Sequence, residues 1–192
     1  MKIAFATILT LASAGVVHAD RVSPPAVPEI ISVGAGYKLF FWGHAVGTQN
    51  YICTQTPSGT IEWFFTGPQA TIYDADLEQT MTHYLSRNPD QSNELHATWQ
   101  HSRDSSTIWA KKLWGSTDSR YVRPDAIEWL LLEVTGDESG PTGGARMTPA
   151  VRIQRVNTVG GLKPPASECN AGTLTNRKFV PYEADYFFYM PE

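Results

Sequence analysis

The sequence predicts an all-β fold: an antiparallel β-sandwich or barrel of roughly nine to ten short strands, with little helix. Short runs rich in aromatic and β-branched residues recur along the chain, and most of them are bounded by glycine or proline. No stretch keeps the period of a long amphipathic helix. Together these features favour a sandwich or a barrel over folds that alternate strands with helices.

The predicted strands include residues 37–42, 49–54, 60–65, 94–100, 106–114, 127–134, 151–156 and 184–189. The runs at 94–100 and 106–114 flank a polar turn and therefore predict a β-hairpin. Lysines in its second strand place this hairpin near a sheet edge, where they would oppose pairing with other chains. The segment 74–85 is compatible with the start of a short helix instead of a strand, and the sequence leaves this open.

The N-terminus predicts export from the cell. Lys2 precedes an uncharged, largely apolar stretch at residues 3–12, and a small-residue cleavage site ends at Ala19 before Asp20. The apolar stretch is too short to span a bilayer. We therefore predict a secreted or extracellular protein, periplasmic or at the cell surface in a bacterium, with no membrane span.

Three regions follow from this pattern. Residues 1–19 are predicted to be a signal peptide, and residues 20–30, which contain three prolines, an extended arm. Residues 31–192 are predicted to be a single β domain, because their number suits one hydrophobic core and is short for two.

The charge of the chain excludes one class of partner. The formal net charge is −4, and removal of residues 1–19, which contain one lysine, makes it one unit more negative. An acidic surface repels phosphate backbones, and no Lys/Arg cluster is longer than two residues. We therefore predict that nucleic acid is not a partner.

The two cysteines, Cys53 and Cys169, are predicted to form a disulfide. An isolated pair in an exported protein is most simply explained in this way. The alternatives are two buried thiols or two soft metal ligands, and neither suits an oxidising compartment.

No compact motif indicates catalysis or a cofactor. The stretch Gly34-Ala35-Gly36 lacks the third glycine of a nucleotide-binding loop and precedes a strand instead of a helix. The histidines that follow the signal peptide, at positions 44, 83, 96 and 101, have no metal-ligand spacing. The sequence therefore predicts no metal and no cofactor. Among the tryptophans, Trp99 and Trp109 flank the polar turn and are the best candidates for exposed binding platforms.

Several segments resemble the DUF3455 family. They are residues 39–53 (LFFWGHAVGTQNYIC), 82–84 (THY), 98–100 (TWQ), 104–106 (DSS), 127–131 (IEWLL), 153–161 (IQRVNTVGG) and 180–182 (VPY), with Cys169 in between. The resemblance implies an exported bacterial or fungal protein of unknown function. Some fungal members carry a malate dehydrogenase-like name, but this chain has no βαβ unit to bind a nicotinamide cofactor.

The resemblance also supplies site candidates. The polar signature positions are His44, Gln49, His83, Trp99, Asp104 and Gln154, and we interpret them as binding candidates. One departure stands out, because the family tends to have glycine where this chain has Ser105. A positive φ at that position would strain the serine.

We expect a non-catalytic β-sandwich that binds a small molecule, a glycan or a protein, because the chain has many aromatic residues and no catalytic motif. The alternative is an extracellular hydrolytic or metal-assisted enzyme that uses His44 and His83, whose imidazoles would have to face one cleft. A third possibility, a secreted effector that binds a host protein, is left open by the sequence.

Overall fold

The computed structural model describes residues 22–192, so the predicted signal peptide lies outside the described residues. Eight strands form a closed antiparallel barrel in which each strand pairs with the next and the last pairs with the first. The strands are β1 (Tyr37–Gln55), β2 (Ile61–Tyr73), β3 (Gln79–Asn88), β4 (Glu94–His101), β5 (Thr107–Ser116), β6 (Trp129–Glu138), β7 (Arg152–Gly160) and β8 (Arg177–Pro191). Between residues 22 and 192 the helical elements are short 3₁₀ turns at Glu29–Ile31, Pro89–Gln91, Ala166–Glu168 and Ala171–Thr173.

The all-β, antiparallel prediction is confirmed, and of the two predicted architectures the barrel is correct. The sandwich is wrong, because hydrogen bonds between β1 and β8 close the sheet on itself. The predicted count of roughly nine to ten strands is also wrong. The strands are fewer and longer than the glycine and proline positions indicated.

Gly47 explains one error in the count, because it lies inside β1 instead of separating two strands. A Cβ at this position would be 2.2 Å from the carbonyl oxygen of Gln69 and 2.5 Å from Cα of Ala70. Glycine therefore lets β2 approach β1 closely while the ladder continues. The predicted strands at 37–42 and 49–54 are consequently one strand.

β2 similarly continues through Gly67 and Pro68. Pro68 pairs with Gln49 of β1, but β3 joins β2 only from Ala70 onwards. Proline is tolerated where a strand has one hydrogen-bonded neighbour instead of two. β2 is therefore longer than its predicted segment.

The hairpin predicted at 94–100 and 106–114 is present as β4 and β5. Its predicted place near an edge is wrong, because β4 also pairs with β3 and β5 with β6. The segment 74–85, which was compatible with a helix start, is a turn followed by β3.

β8 shows how the strands divide the molecule into an interior and an outer layer. Tyr186 and Phe188 belong to the cluster inside the barrel, whereas Phe187 and Tyr189 belong to a second cluster on its outside. Successive side chains of a strand point to opposite faces, so the alternation follows from the strand itself. The outer cluster includes Ile31 and packs against side chains of the N-terminal segment.

The predicted disulfide between Cys53 and Cys169 is present. It joins β1 to the loop between β7 and β8, and it packs with Tyr51 and Trp63 in a third small cluster. No helix within residues 22–192 is long and apolar enough to cross a membrane.

Candidate ligand-binding site

A cavity of about 260 Å³ occupies one end of the barrel interior. His83, Trp99 and Tyr186 form its inner part, and Leu130 and Leu132 of β6 contribute an apolar wall. It lies at the end opposite the β2–β3 and β4–β5 turns. An eight-stranded barrel is just wide enough to be filled by side chains or to hold one small ligand.

The cavity reaches the surface where neighbouring strands separate. The β2–β3 ladder begins only at Ala70, and the β4–β5 ladder ends at the pair Ala97 and Ala110. Beyond these points Phe65 and Leu95 border the opening, and they are 41% and 62% exposed. Exposed apolar side chains at the edge of a concave site are typical of a ligand entrance.

His83 is a neutral hydrogen-bonding group in this cavity. It is buried, stacks on Trp99, and its Nδ1 lies 2.8 Å from the carbonyl oxygen of Thr98. Because a carbonyl only accepts, Nδ1 carries the proton and Nε2 is left with the lone pair. Burial lowers the pKa of His83 to about 3, although the hydrogen bond to Thr98 opposes the shift.

Three residues of the cavity carry buried polar atoms that have no hydrogen-bond partner among residues 22–192. The atoms are Gln49 Nε2, Trp99 Nε1 and Arg155 Nε, whereas the Tyr186 hydroxyl interacts with the side chains of Tyr182 and Arg155. Buried polar groups in folded proteins are nearly always paired, so such a concentration in one cavity needs an explanation. A ligand that accepts hydrogen bonds would supply it.

The cavity is also positively charged. Arg155, Lys111 and Lys112 are among its lining residues, and no aspartate or glutamate is. Lys112 pairs with Glu128, which also contributes its backbone carbonyl to Arg155 at 3.0 Å. Burial raises the pKa of Tyr186, and the positive charge of Arg155 partly offsets this.

The structure brings together three of the six predicted site residues. Gln49, His83 and Trp99 come from β1, β3 and β4 and line the same cavity. Trp99 is fully buried, however, and Trp109 is only 5% exposed. The prediction that these two tryptophans form exposed platforms is therefore wrong. Both pack inside the fold, and the Trp109 indole donates to Ser86 Oγ at 2.8 Å.

His44 lies on the outer face of β1. Its Nδ1 is 2.8 Å from the Asp185 carboxylate, and its Nε2 is 3.7 Å from that of Glu183. Its neighbour Ala45 points into the barrel. His44 and His83 are thus on opposite sides of the barrel wall and do not share a cleft.

Asp104 and Gln154 hold the fold together away from the cavity. Asp104 accepts hydrogen bonds from Ser106 and Arg146. Gln154 donates to the carbonyl oxygen of Ile31 at 2.8 Å and accepts from the Tyr189 hydroxyl at 2.5 Å. It thereby fixes the N-terminal segment to the outer face of the barrel.

Arg155 and Tyr186 were not among the predicted site residues. Arg155 and Ile153 are two residues apart on one strand, so their side chains point to the same face. Ile153 is fully buried, so strand alternation places Arg155 on the face of the strand that points into the barrel. That pattern was the available signal for Arg155. Tyr186 lies directly opposite Arg155 in the β7–β8 ladder, a register that the sequence does not reveal.

A broader groove of about 860 Å³ lies at the other end of the barrel. Two of its lining residues have charged partners: Arg103 pairs with Glu78, and His101 lies 3.0 Å from Asp104. One buried atom of its lining residues, Trp42 Nε1, lacks a partner within the described chain. The barrel cavity, with three such atoms, is the stronger site.

Metal binding is not indicated by the arrangement of side chains. Within residues 22–192 no group of three or more His, Cys, Asp or Glu side chains is placed to hold a metal ion. His44 instead forms contacts with Asp185 and Glu183, and Asn157 donates a hydrogen bond to the Asp185 carboxylate at 2.8 Å.

Comparison with known proteins gives one match. Residues 34–190 are similar to the model of a family described as "Protein of unknown function (DUF3455)". No curated protein and no solved structure matches the chain. The matched residues include all of the cavity lining.

Proposed function

The chain belongs to the DUF3455 family, whose function is unknown, and from that premise we propose that it is a secreted, non-catalytic binding protein that holds one small, largely apolar ligand inside its barrel. The observation that carries the proposal is the cavity with three unpartnered buried polar atoms. Ligand sites are typically apolar concavities in which a few polar groups fix the orientation of the ligand. The cavity has this composition.

The dimensions of the cavity limit its occupant. Drug-sized ligands occupy roughly 300–1,000 Å³, and this cavity has about 260 Å³. A compact ring or a short aliphatic chain fits that volume better than an oligosaccharide or a peptide. The opening beside Phe65 and Leu95 allows part of the ligand to extend to the surface.

The enzymatic alternative has less support. It requires His44 and His83 at one cleft, yet the barrel wall separates them. A general base is most effective when its pKa lies near the working pH. With a pKa of about 3, His83 is a weak base and suits the role of a neutral acceptor.

NMR titration tests the proposal, because two of the unpartnered groups give resolved signals. The purified protein, labelled with nitrogen-15, would be titrated with a panel of small apolar molecules and short glycans. We expect a small apolar ligand to shift the Trp99 indole N–H and the Gln49 side-chain amide. A panel without a binder, or binders that shift only surface signals, would overturn the proposal.

A cavity-filling variant provides the matched control. Ala110 lines the cavity and is 1% exposed, so Ala110→Leu should reduce the affinity at least tenfold by occupying part of the space. Ala75 is exposed in the β2–β3 turn, outside the cavity, so Ala75→Leu adds the same side-chain volume without filling the cavity. The Ala75→Leu variant should therefore bind the ligand with unchanged affinity. Ala97→Leu, at a half-buried lining position, replaces Ala110→Leu if the latter does not fold.

A further inference from the structure

The chemistry of the cavity identifies the ligand class more closely. Resting on the proposed function, we propose that the ligand is a compact monocarboxylate whose carboxylate is held inside the barrel by Arg155 together with Gln49 and Trp99. The apolar body of the ligand then contacts Leu130, Leu132 and the side chains at the opening.

The unpartnered atoms are mainly donors. Arg155 Nε and Trp99 Nε1 only donate hydrogen bonds, as does the amide nitrogen of Gln49. Gln49 is 3% exposed and Trp99 is fully buried, so bulk water does not satisfy them. A carboxylate offers two oxygens with about four lone-pair directions and is an acceptor only. A carboxylate complements this set of donors better than an alcohol, because the hydroxyl proton of an alcohol would itself need an acceptor.

The charge of Arg155 gives the second, independent reason. Its guanidinium makes no ion pair with any residue between 22 and 192, and its hydrogen bond to Glu128 goes to the backbone carbonyl. A guanidinium partly removed from water favours an anionic partner, and planar carboxylates match its geometry. No acidic side chain lines the cavity, so an anion from outside has no competitor there.

A single negative charge is the best match. The neutral His83 adds no second positive charge to the inner part of the cavity, because burial keeps its pKa well below the usual range. Lys111 and Lys112 are exposed, and Lys112 already pairs with Glu128. One partly buried guanidinium therefore faces one anionic group, and a dianion such as a phosphate monoester would carry uncompensated charge.

The positive charge of the cavity contrasts with the net negative charge of the chain. The chain as a whole has a formal net charge of −4, so general attraction of anions is not expected. The rest of the lining is apolar, with Leu85, Leu95 and Phe65 near the opening. A small aromatic or short aliphatic acid combines both required features.

The test compares ligands of nearly equal shape by calorimetry at pH 7. Two series serve as probes: benzoate, benzyl alcohol and benzylamine, and hexanoate, hexanol and hexylamine. We expect the carboxylate of at least one series to bind about 10- to 100-fold more tightly than its alcohol, the range expected for a charged hydrogen bond. The amine should bind most weakly, because Arg155 repels it.

Variants on β7 connect the preference to Arg155. Arg155→Met should abolish the preference for the carboxylate while leaving alcohol binding in place. Arg152→Met is the matched control, because Arg152 lies on the opposite face of the same strand, beside Glu133 and Tyr37. It should keep the full preference. Arg155→Lys retains the charge but not the planar fork, so its preference should be intermediate.

The outcomes separate this inference from the proposed function. Equal affinities for carboxylate and alcohol, with Trp99 shifted by both, would overturn the carboxylate inference and leave the binding function intact. A tighter amine, or a preference that survives in a folded Arg155→Met variant, would overturn it as well. If no member of either series or of the wider panel binds, both fail. If Arg155→Met does not fold, the two ligand series on the unmodified protein still decide the question.

Discussion

His83 and Trp99 are direct cross-strand partners whose rings stack with their centroids 4.2 Å apart and their planes 15° from parallel. Tyr186 meets both rings edge to face from β8, at 5.2 Å and 5.5 Å. Such pairs stabilise a core beyond the area that they bury. The stack also removes water from the His83 ring, so the packing that forms the inner part of the cavity sets its protonation state.

The first prediction is that His83 stays neutral over the ordinary pH range. Its pKa is lowered from 6.5 to about 3, mainly by burial. As the pH falls, His83 is therefore protonated near pH 6.5 in the unfolded chain but only near pH 3 in the folded protein. Stability from this group is complete above about pH 6.5 and is lost as the pH falls towards 3, by roughly 1 kcal/mol per pH unit.

His83→Phe isolates this contribution, because phenylalanine keeps an aromatic ring beside Trp99 and cannot take up a proton. The free energy of unfolding, measured in urea between pH 3.5 and 7, should depend less steeply on pH in the variant than in the unmodified protein. In NMR the His83 ring signals should not titrate above about pH 5. A His83 midpoint near 6.5 in the folded protein would contradict the prediction.

The sequence predicted local structure well, because period-two burial and hairpin turns are local properties. It left open whether the sheet closes, and it predicted too many strands, for two reasons. The pairing of β1 with β8 joins segments that are far apart in the sequence. Gly47 lies within β1 because it lets β2 approach closely, and Pro68 is tolerated within β2 because it pairs with β1 and not with β3. Local composition does not reveal which distant strands pair or how closely neighbouring strands approach each other.

The candidate site shows the same limit. Gln49, His83 and Trp99 were selected as polar signature positions and do line one cavity, whereas His44 from the same signature faces outwards. Which signature residues meet depends on strand register and on the face of each strand. Arg155 was missed because its importance comes from its surroundings: it is charged, faces inwards and has no acidic neighbour in the cavity.

The second prediction concerns the disulfide. Cys53 and Cys169 are 116 residues apart, and in the chain-entropy model a loop of this length contributes about 4–5 kcal/mol to stability. The double variant Cys53→Ser, Cys169→Ser should lose about this amount in urea unfolding, and reduction of the unmodified protein should have the same effect. The double variant is the control, since reductant should not alter it. Unchanged stability after complete reduction would contradict the prediction.

The third prediction concerns Ser105, where the family tends to have glycine. The residue has a φ of 59° in the turn between β4 and β5, so the strain expected from the sequence is supported by the backbone. Ser105→Gly should raise the free energy of unfolding by about 0.5–1 kcal/mol, because relief of strain exceeds the added flexibility of the unfolded chain.

Ser102→Gly in the same turn is the matched control for Ser105→Gly. Ser102 is exposed and does not have a positive φ, so glycine there brings the entropic cost and the loss of one exposed hydrogen bond, from Gln79 Nε2 to Ser102 Oγ. It should lower stability by about 0.5–1 kcal/mol. Two variants that change stability in the same direction would show that the backbone conformation of Ser105 is not strained.

The last prediction concerns Asp104, which anchors the loop before β7 to the β4–β5 turn. Its carboxylate accepts from Ser106 N at 3.0 Å, Ser106 Oγ at 2.7 Å and Arg146 N at 2.9 Å. Burial opposes ionisation, but these hydrogen bonds outweigh it and lower the pKa of Asp104 to about 2. The stability that depends on this carboxylate is therefore present above about pH 4 and lost as the pH falls through 2.

Asp104→Ala should lower the free energy of unfolding at pH 7 by about 2–3 kcal/mol, because it leaves several donors without an acceptor. Asp125→Ala is the control, since Asp125 forms an exposed ion pair with Arg123 that contributes little. Because Asp104 does not line the barrel cavity, the folded variant should still bind the ligand of the unmodified protein. Loss of binding without loss of stability would instead make Asp104 part of the binding site, as the signature first indicated.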